Sequence, residues 1–339
     1  MPYIIAMDSL TQLALGGAIG AAVGGKKYGR KAALIGAICG TIPDLDIFFS
    51  SDDPVTAFTH HRGLSHSFLF AIFGTPVFAW IFSKIKWLGV QFKDRALHVM
   101  VFLGLFTHML LDALTIYGTQ LFWPLPTPPI AVGSVFIIDL LYTLPLLVGL
   151  IWFLFNKSRH IPKVALAVST LYLAWGLAAQ QIITNKLHES HTVAPSQVLV
   201  QTTPFNTFLW RILVMDNDGY KVGYASIFDK GDDILLKHYS SQPALLSPLA
   251  DTYAVQRLNW FTNGFYKAHQ QEDKIIMTDL RMGREPDSYI FGFVIGLNNG
   301  QETTPTTNQR FSSRRDMGTI SQIWDRIWDE DISLQLAEK

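Results

Sequence analysis

The chain has one cysteine, Cys39, in 339 residues, which excludes an internal disulfide framework. It has no excess of charge of either sign, since 27 Lys and Arg balance 27 Asp and Glu. That balance excludes a basic nucleic-acid binder and a disordered acidic chain as readings of the whole molecule. No basic segment opens the sequence and no small-residue cleavage site follows an apolar core, so a removable signal peptide is not expected. The first part of the chain is also poor in charge. Residues 1–185 carry 20 Lys, Arg, Asp and Glu, whereas the other 154 residues carry 34. Soluble domains average about 25% charged residues. Residues 1–185 therefore read as a helical membrane domain and residues 186–339 as a soluble domain.

A spanning helix needs about 20 apolar residues. Ala96–Tyr117, Val135–Phe155 and Val164–Ile183 meet that length. Leu10–Gly25, Ala32–Phe49 and Gly63–Phe82 are shorter or richer in glycine. Gly16, Gly17, Gly20, Gly36 and Gly40 suit small helix faces packed closely together. About six spans are expected. The short loops then set the orientation. Loops 26–31, 84–95 and 156–163 hold 11 Lys and Arg, and the alternate loops hold Arg62 alone. The cationic loops are expected in the cytoplasm, which places the C-terminal domain outside it in a multi-pass inner-membrane protein.

The C-terminal domain reads as mainly β. Thr207–Met215 and Tyr220–Phe228 flank Asp218-Gly219, a hairpin signal. Val255–Ala268, Lys274–Leu280 and Tyr289–Leu297 continue the strand pattern, and Gly300–Arg315 reads as a loop. Ile320, Ile323, Trp324, Ile327 and Trp328 recur at helical spacing and predict a terminal amphipathic helix.

Ionisable side chains are costly inside a membrane domain and mark function there. Here Asp8, Asp44, Asp46, His61, His66, His108 and Asp112 all fall on the extracytoplasmic half of the expected topology. His108 and Asp112, four apart, share a helix face. Asp44 and Asp46 follow Pro43, and His61 and His66 bracket a turn entering a helix. Each motif alone is ordinary, and a His/Asp pair at this spacing is more often a simple hydrogen-bonded pair. Gathered on one side of an apolar domain, the seven predict a divalent metal site for one or two ions. Imidazole with carboxylate favours Zn first, with Mn or Fe as alternatives. Arg62 is expected to clamp a phosphate or carboxylate bidentately, and Asp46 is read as catalytic as well as ligating. Asp139 reads equally as a helix-start carboxylate.

The stretches MDSLTQ at 7–12, PDLD at 43–46, HHRGLSHS at 60–67 and HMLLDALTIYGTQLFWP at 108–124 resemble the YdjM-like membrane-bound metal-dependent hydrolases of bacteria and archaea. The resemblance covers roughly residues 7–185, and the β segment is similar to the extension of longer members. It implies a polytopic inner-membrane protein with a hydrolytic metal site. By motif match, His61, Arg62 and His66 take the HRGxSH positions, Asp44 and Asp46 the PDxD positions, and His108 and Asp112 the HxxxD positions. Many shorter members carry Thr-His where this chain has Thr11-Gln12. Gln is a poor zinc ligand, so either Asp8 compensates or the ion has one protein ligand fewer. The expected activity is cleavage of a phosphoester or ester bond in a lipid-like substrate by metal-activated water. The membrane lipid is thus both surroundings and candidate substrate, and nucleic acid is not a partner. The alternative is a non-enzymatic ion-binding or ion-transporting membrane protein.

Overall fold

Small residues bring the first two helices together. The computed structural model describes residues 2–49, 51–231, 233–311 and 320–334, with the side chains of residues 2–8 outside that description. Helix α1 (Pro2–Tyr28) and helix α2 (Arg30–Cys39) form a hairpin about Gly29, whose φ of 57° suits glycine. Their backbones touch along a glycine seam. A Cβ on Gly36 would stand 2.1 Å from the Gly16 carbonyl oxygen, and one on Gly40 would stand 2.3 Å from that of Gln12.

Gly40 caps α2, and Pro43 opens a 3-10 turn, Pro43–Phe49. Helix α3 (Pro54–His60) follows, then a second 3-10 turn, Leu64–His66, and α4 (Phe68–Lys84), capped by Ser67. Helices α5 (Arg95–Leu114), α6 (Leu140–Asn156) and α7 (His160–Ser190) complete the helical part. Helix α5 packs on α2, where Gly104 leaves room for Cys39.

Six spans were expected, whereas length and hydropathy support two among the described residues, α5 and α7. The number rises to four if α2 with Pro43–Phe49, and Pro54–His66 with α4, each count as one broken span. Helix α6 is apolar but has only 17 residues. The difference lies in the breaks: Gly40 and Pro43 interrupt an apolar run that composition alone reads as continuous.

The chain divides into two compact units. The first combines the residues up to Phe49 with Arg62–Leu177. The second combines residues 50–61 with Ala178–Lys339. The changeover between them falls within α7.

The second unit is mainly β. Strands β1 (Val198–Thr202), β2 (Leu209–Met215), β3 (Gly219–Ser226) and β4 (Lys237–Ser240) form one antiparallel sheet in that order. Met215 pairs with Tyr220 across the turn that Asp218-Gly219 predicts. Helix α8 (Tyr253–Thr262) precedes β5 (Tyr266–Gln271) and β6 (Lys274–Asp279). The short pair β7 (Gly283–Arg284) and β8 (Ser288–Tyr289) leads to β9 (Gly292–Asn298) and β10 (Thr303–Phe311). The second sheet runs β10-β9-β6-β5.

Two expectations for this unit change. Val255–Ala268 is not one strand, because Thr252 caps a helix and Asn263, in the left-handed region, ends it. Much of Gly300–Arg315 is β10, a polar edge strand with a bulge between Pro305 and Gln309. Residues 312–315 lie outside the described residues.

Helix α9 (Ile320–Trp328) buries Ile323 and Ile327 beside Leu209 and leaves Trp324 and Trp328 outward. Inside the unit, Arg211 is buried and paired with Glu285, which also accepts from the Tyr289 hydroxyl at 2.6 Å. Burial opposes the charge of Arg211, but the carboxylate beside it holds its pKa above the ordinary guanidinium value.

The glycine seam gives the first prediction. Gly36→Ala places a methyl group against backbone, which cannot swing aside as a side chain can. The expected cost is about 1–3 kcal/mol, read as a lower thermal midpoint of the detergent-solubilised protein.

Candidate metal centre

Four side chains from three places in the first unit converge. Asp44 lies in the turn after α2, His66 in the turn before α4, and His108 and Asp112 one helical turn apart on α5. Each offers one ligand atom, and the four atoms all lie within 4.8 Å of one another. His66, His108 and Asp112 are fully buried, and Asp44 is partly exposed.

The distances are those of a coordination cage. His66 Nε2 stands 3.1 Å from His108 Nε2 and 3.1 Å from Asp112 Oδ2. His108 Nε2 stands 3.3 Å from Asp112 Oδ2, and Asp44 Oδ1 lies 3.4 Å from both Nε2 atoms. Donors held about 2.0–2.1 Å from zinc in a tetrahedron stand about 3.3–3.4 Å apart.

The surrounding hydrogen bonds decide which atoms face inward. His108 Nδ1 lies 2.7 Å from the Gly40 carbonyl oxygen, so it carries the proton and leaves a lone pair on Nε2. Ser65 Oγ donates to Asp46 Oδ2 at 2.9 Å and is left to accept from His66 Nδ1, also at 2.9 Å. His66 therefore also presents a lone pair from Nε2. Gln12 Nε2 donates to Asp112 Oδ1 at 2.9 Å and to the His108 carbonyl oxygen at 3.2 Å. The other oxygen, Asp112 Oδ2, is buried and accepts no hydrogen bond among the described residues. Two imidazole nitrogens and two carboxylate oxygens face each other across a few ångströms. A cation fits that donor set.

The other sequence-predicted residues sit around the cage. Arg62 is buried, with Nε 3.4 Å from Asp112 Oδ2 and Nη1 donating to Thr115 Oγ1 at 3.1 Å. Its guanidinium also faces the Tyr117 ring at 5.1 Å. Arg62 thus supplies positive charge beside a ligand carboxylate. Its backbone is in the left-handed region, with φ 62°, and its N–H donates to Asp46 Oδ2 at 3.0 Å. Asp46 therefore fixes the turn and, through Ser65, the ring of His66. His61 caps the end of α3 and is not one of the four. The side chain of Asp8 lies outside the described residues. Asp139 starts α6, accepting from the backbone of Leu141 and Tyr142 and from the Tyr172 hydroxyl.

Thr115 and Gln12 also support the site, and Gln12 is by itself a poor ligand. Its position beside a carboxylate that needed a donor was not visible in the sequence.

Residues 7–183 match the family model described as YdjM inner membrane protein. No curated protein and no solved structure matches the chain.

The geometry separates candidate ligands from the residues that support them. Metal content by elemental analysis is expected to vanish in His108→Ala and Asp112→Ala. Gln12→Ala removes only the group that orients Asp112, and metal affinity is expected to fall about 10–100-fold. A competition titration against a chelator measures both effects.

Proposed function

The chain belongs to the YdjM inner membrane protein family, and on that premise we propose that it is a membrane-bound metal-dependent hydrolase. The observation that carries this reading is the convergence of two imidazole lone pairs and two carboxylate oxygens at cage spacing. Zinc suits this mixed nitrogen and oxygen set, and one cage implies one ion. A divalent ion held there supplies acidified water and polarises a carbonyl or phosphoryl oxygen.

The residues of the chain do the rest. His66, His108, Asp44 and Asp112 would hold the ion, and Gly40, Ser65 and Gln12 keep His108, His66 and Asp112 oriented. With both imidazoles neutral, the two carboxylates and Arg62 carry a net charge of −1. A divalent ion would bring these groups to +1, and the carboxylate of Asp46 behind His66 brings the whole site to about neutral. Asp46 and Arg62, read from sequence as catalytic, act in this proposal by positioning: Asp46 orients His66, and Arg62 offsets the charge of Asp112.

The favoured target is a phosphoester or ester bond of a lipid-like substrate. Leu45, Phe48 and Phe49, in the turn that bears Asp44, are exposed, as is Leu64 beside His66. Apolar side chains flanking the ligand turns suit a substrate whose chains stay in the bilayer. Zinc-loaded protein in nanodiscs is expected to hydrolyse a phospholipid or a fluorogenic phosphodiester, and His66→Ala is expected to be inactive. Metal binding with no hydrolysis across lipid and soluble esters would favour the ion-handling alternative.

The proposed orientation places the site and the β unit outside the cytoplasm, from 11 loop cations against one. A reporter active only in the cytoplasm, fused after Lys339, is expected to be silent. An active one would reverse the assignment.

A further inference from the structure

The two turns that bring Asp44 and His66 to the cage are joined by a segment that folds with the β unit. Residues 50–61 belong to the second unit, whereas Phe49 and Arg62, at its two ends, belong to the first. Within the second unit, α3 is held at both ends and along one face. At its start, Asp53 Oδ2 accepts from the backbone N–H and hydroxyl of Thr56, both at 2.7 Å. The other oxygen, Asp53 Oδ1, accepts from Asn308 Nδ2 at 2.7 Å. Near its end, Arg257 of α8 donates from Nε to Thr59 Oγ1 at 3.0 Å and from Nη2 to the Thr59 carbonyl oxygen at 3.1 Å. Between them, Val55, Phe58 and Thr59 form the buried face. The ring of Phe58 meets Phe261 at 4.7 Å and Phe291 at 4.4 Å.

We propose that the β unit sets the spacing of the metal donors by holding this connection, with Arg257 as the positioning residue. The inference rests on the metal-site reading above and adds a task for the β unit. Arg62 N–H donates to Asp46 Oδ2, so the chain leaves the site and returns to almost the same point. A closed excursion of this kind is ordered only if something fixes it, because loop closure costs conformational entropy. Fixing α3 removes that freedom before the ion arrives. Thr59 is held by a two-pronged guanidinium, and only two residues separate Thr59 from Arg62. Any slack there reaches Arg62, the turn of His66 and the Asp46–Ser65 link that orients the His66 ring. Arg257 touches neither the ion nor a ligand in this scheme. Its effect is on how well the donors are arranged in advance, and hence on how firmly the ion is kept.

The test uses the full-length protein in detergent micelles, loaded with Zn2+ or, for spectroscopy, Co2+. Zinc release to a chelator is expected to be about tenfold faster in Arg257→Ala than in wild type, the lower end of what supporting hydrogen bonds usually contribute. The visible absorption of the Co2+ form is expected to change. Arg257→Lys keeps the charge but not the fork, and is expected to restore release only in part. Arg326→Ala is the control. It breaks the paired bonds to Asp229 that tie α9 into the β unit and so loosens the unit elsewhere. It is expected to lower thermal stability with zinc release unchanged. If Arg257→Ala does not fold, Asn308→Ala, which frees the other end of α3, carries the same expectation. Wild-type release in a folded Arg257→Ala, or equal acceleration in Arg326→Ala, overturns the proposal. Failure of the wild type to retain either metal overturns the metal-site reading and this inference with it.

Discussion

The crowding of four metal-competent side chains into one small space is the constraint on which the first unit is built. Two imidazole nitrogens stand 3.1 Å apart and each lies 3.1–3.4 Å from two carboxylate oxygens, nearly all of them buried. Such groups separate or take up protons unless they are held and compensated. Three of the four are held from behind. A main-chain carbonyl fixes His108, a hydroxyl backed by Asp46 fixes His66, and an amide fixes Asp112. Arg62 adds the protein's own compensating charge. The glycine seam belongs to the same arrangement, because it brings the Gly40 carbonyl and the Gln12 backbone together at one end of the helix hairpin.

The sequence carried some parts of this site openly and concealed others. His108 and Asp112 were legible because helical spacing alone puts them on one face. The turns of Asp44 and His66 were legible because Pro43, Gly63 and the local polar residues break the apolar pattern. Asp44 and Asp46 could not be told apart by spacing. One reaches the cage and the other supports the turn of His66, a distinction set by the path of a 3-10 turn. His61 and His66 were alike as ligand types, and only the fold assigns His61 to the end of α3. Gln12 lies 96 residues from His108 and 100 from Asp112, and no local signal expresses that relation.

The β unit was legible as a class and less so in its parts. The Asp218-Gly219 hairpin and the terminal helix followed from local chemistry. Val255–Thr262 reads as strand by pattern because its aromatic and β-branched residues suit either structure, and the deciding cap, Thr252, lies outside that pattern. The polar residues of β10 read as loop because an edge strand can be as polar as one. The allegiance of residues 50–61 was the least visible feature. Nothing between Asp46 and Arg62 indicates that Val55, Phe58 and Thr59 are buried with residues far along the chain.

That allegiance also orders events in time. Thr59 is held by a residue 198 positions later, and Asp53 by one 255 positions later. A chain elongating at about 5–20 residues per second makes those partners roughly 10–50 s after α3 itself. The turn that bears His66 and the helix that bears His108 and Asp112 are both synthesised within that interval. The excursion between Asp44 and His66 is therefore the last part of its neighbourhood to find its place. It waits for a sheet whose strand β10 is made 255 positions after Asp53. A chain cut short before β10 would contain every candidate ligand and lack the hold on Asp53.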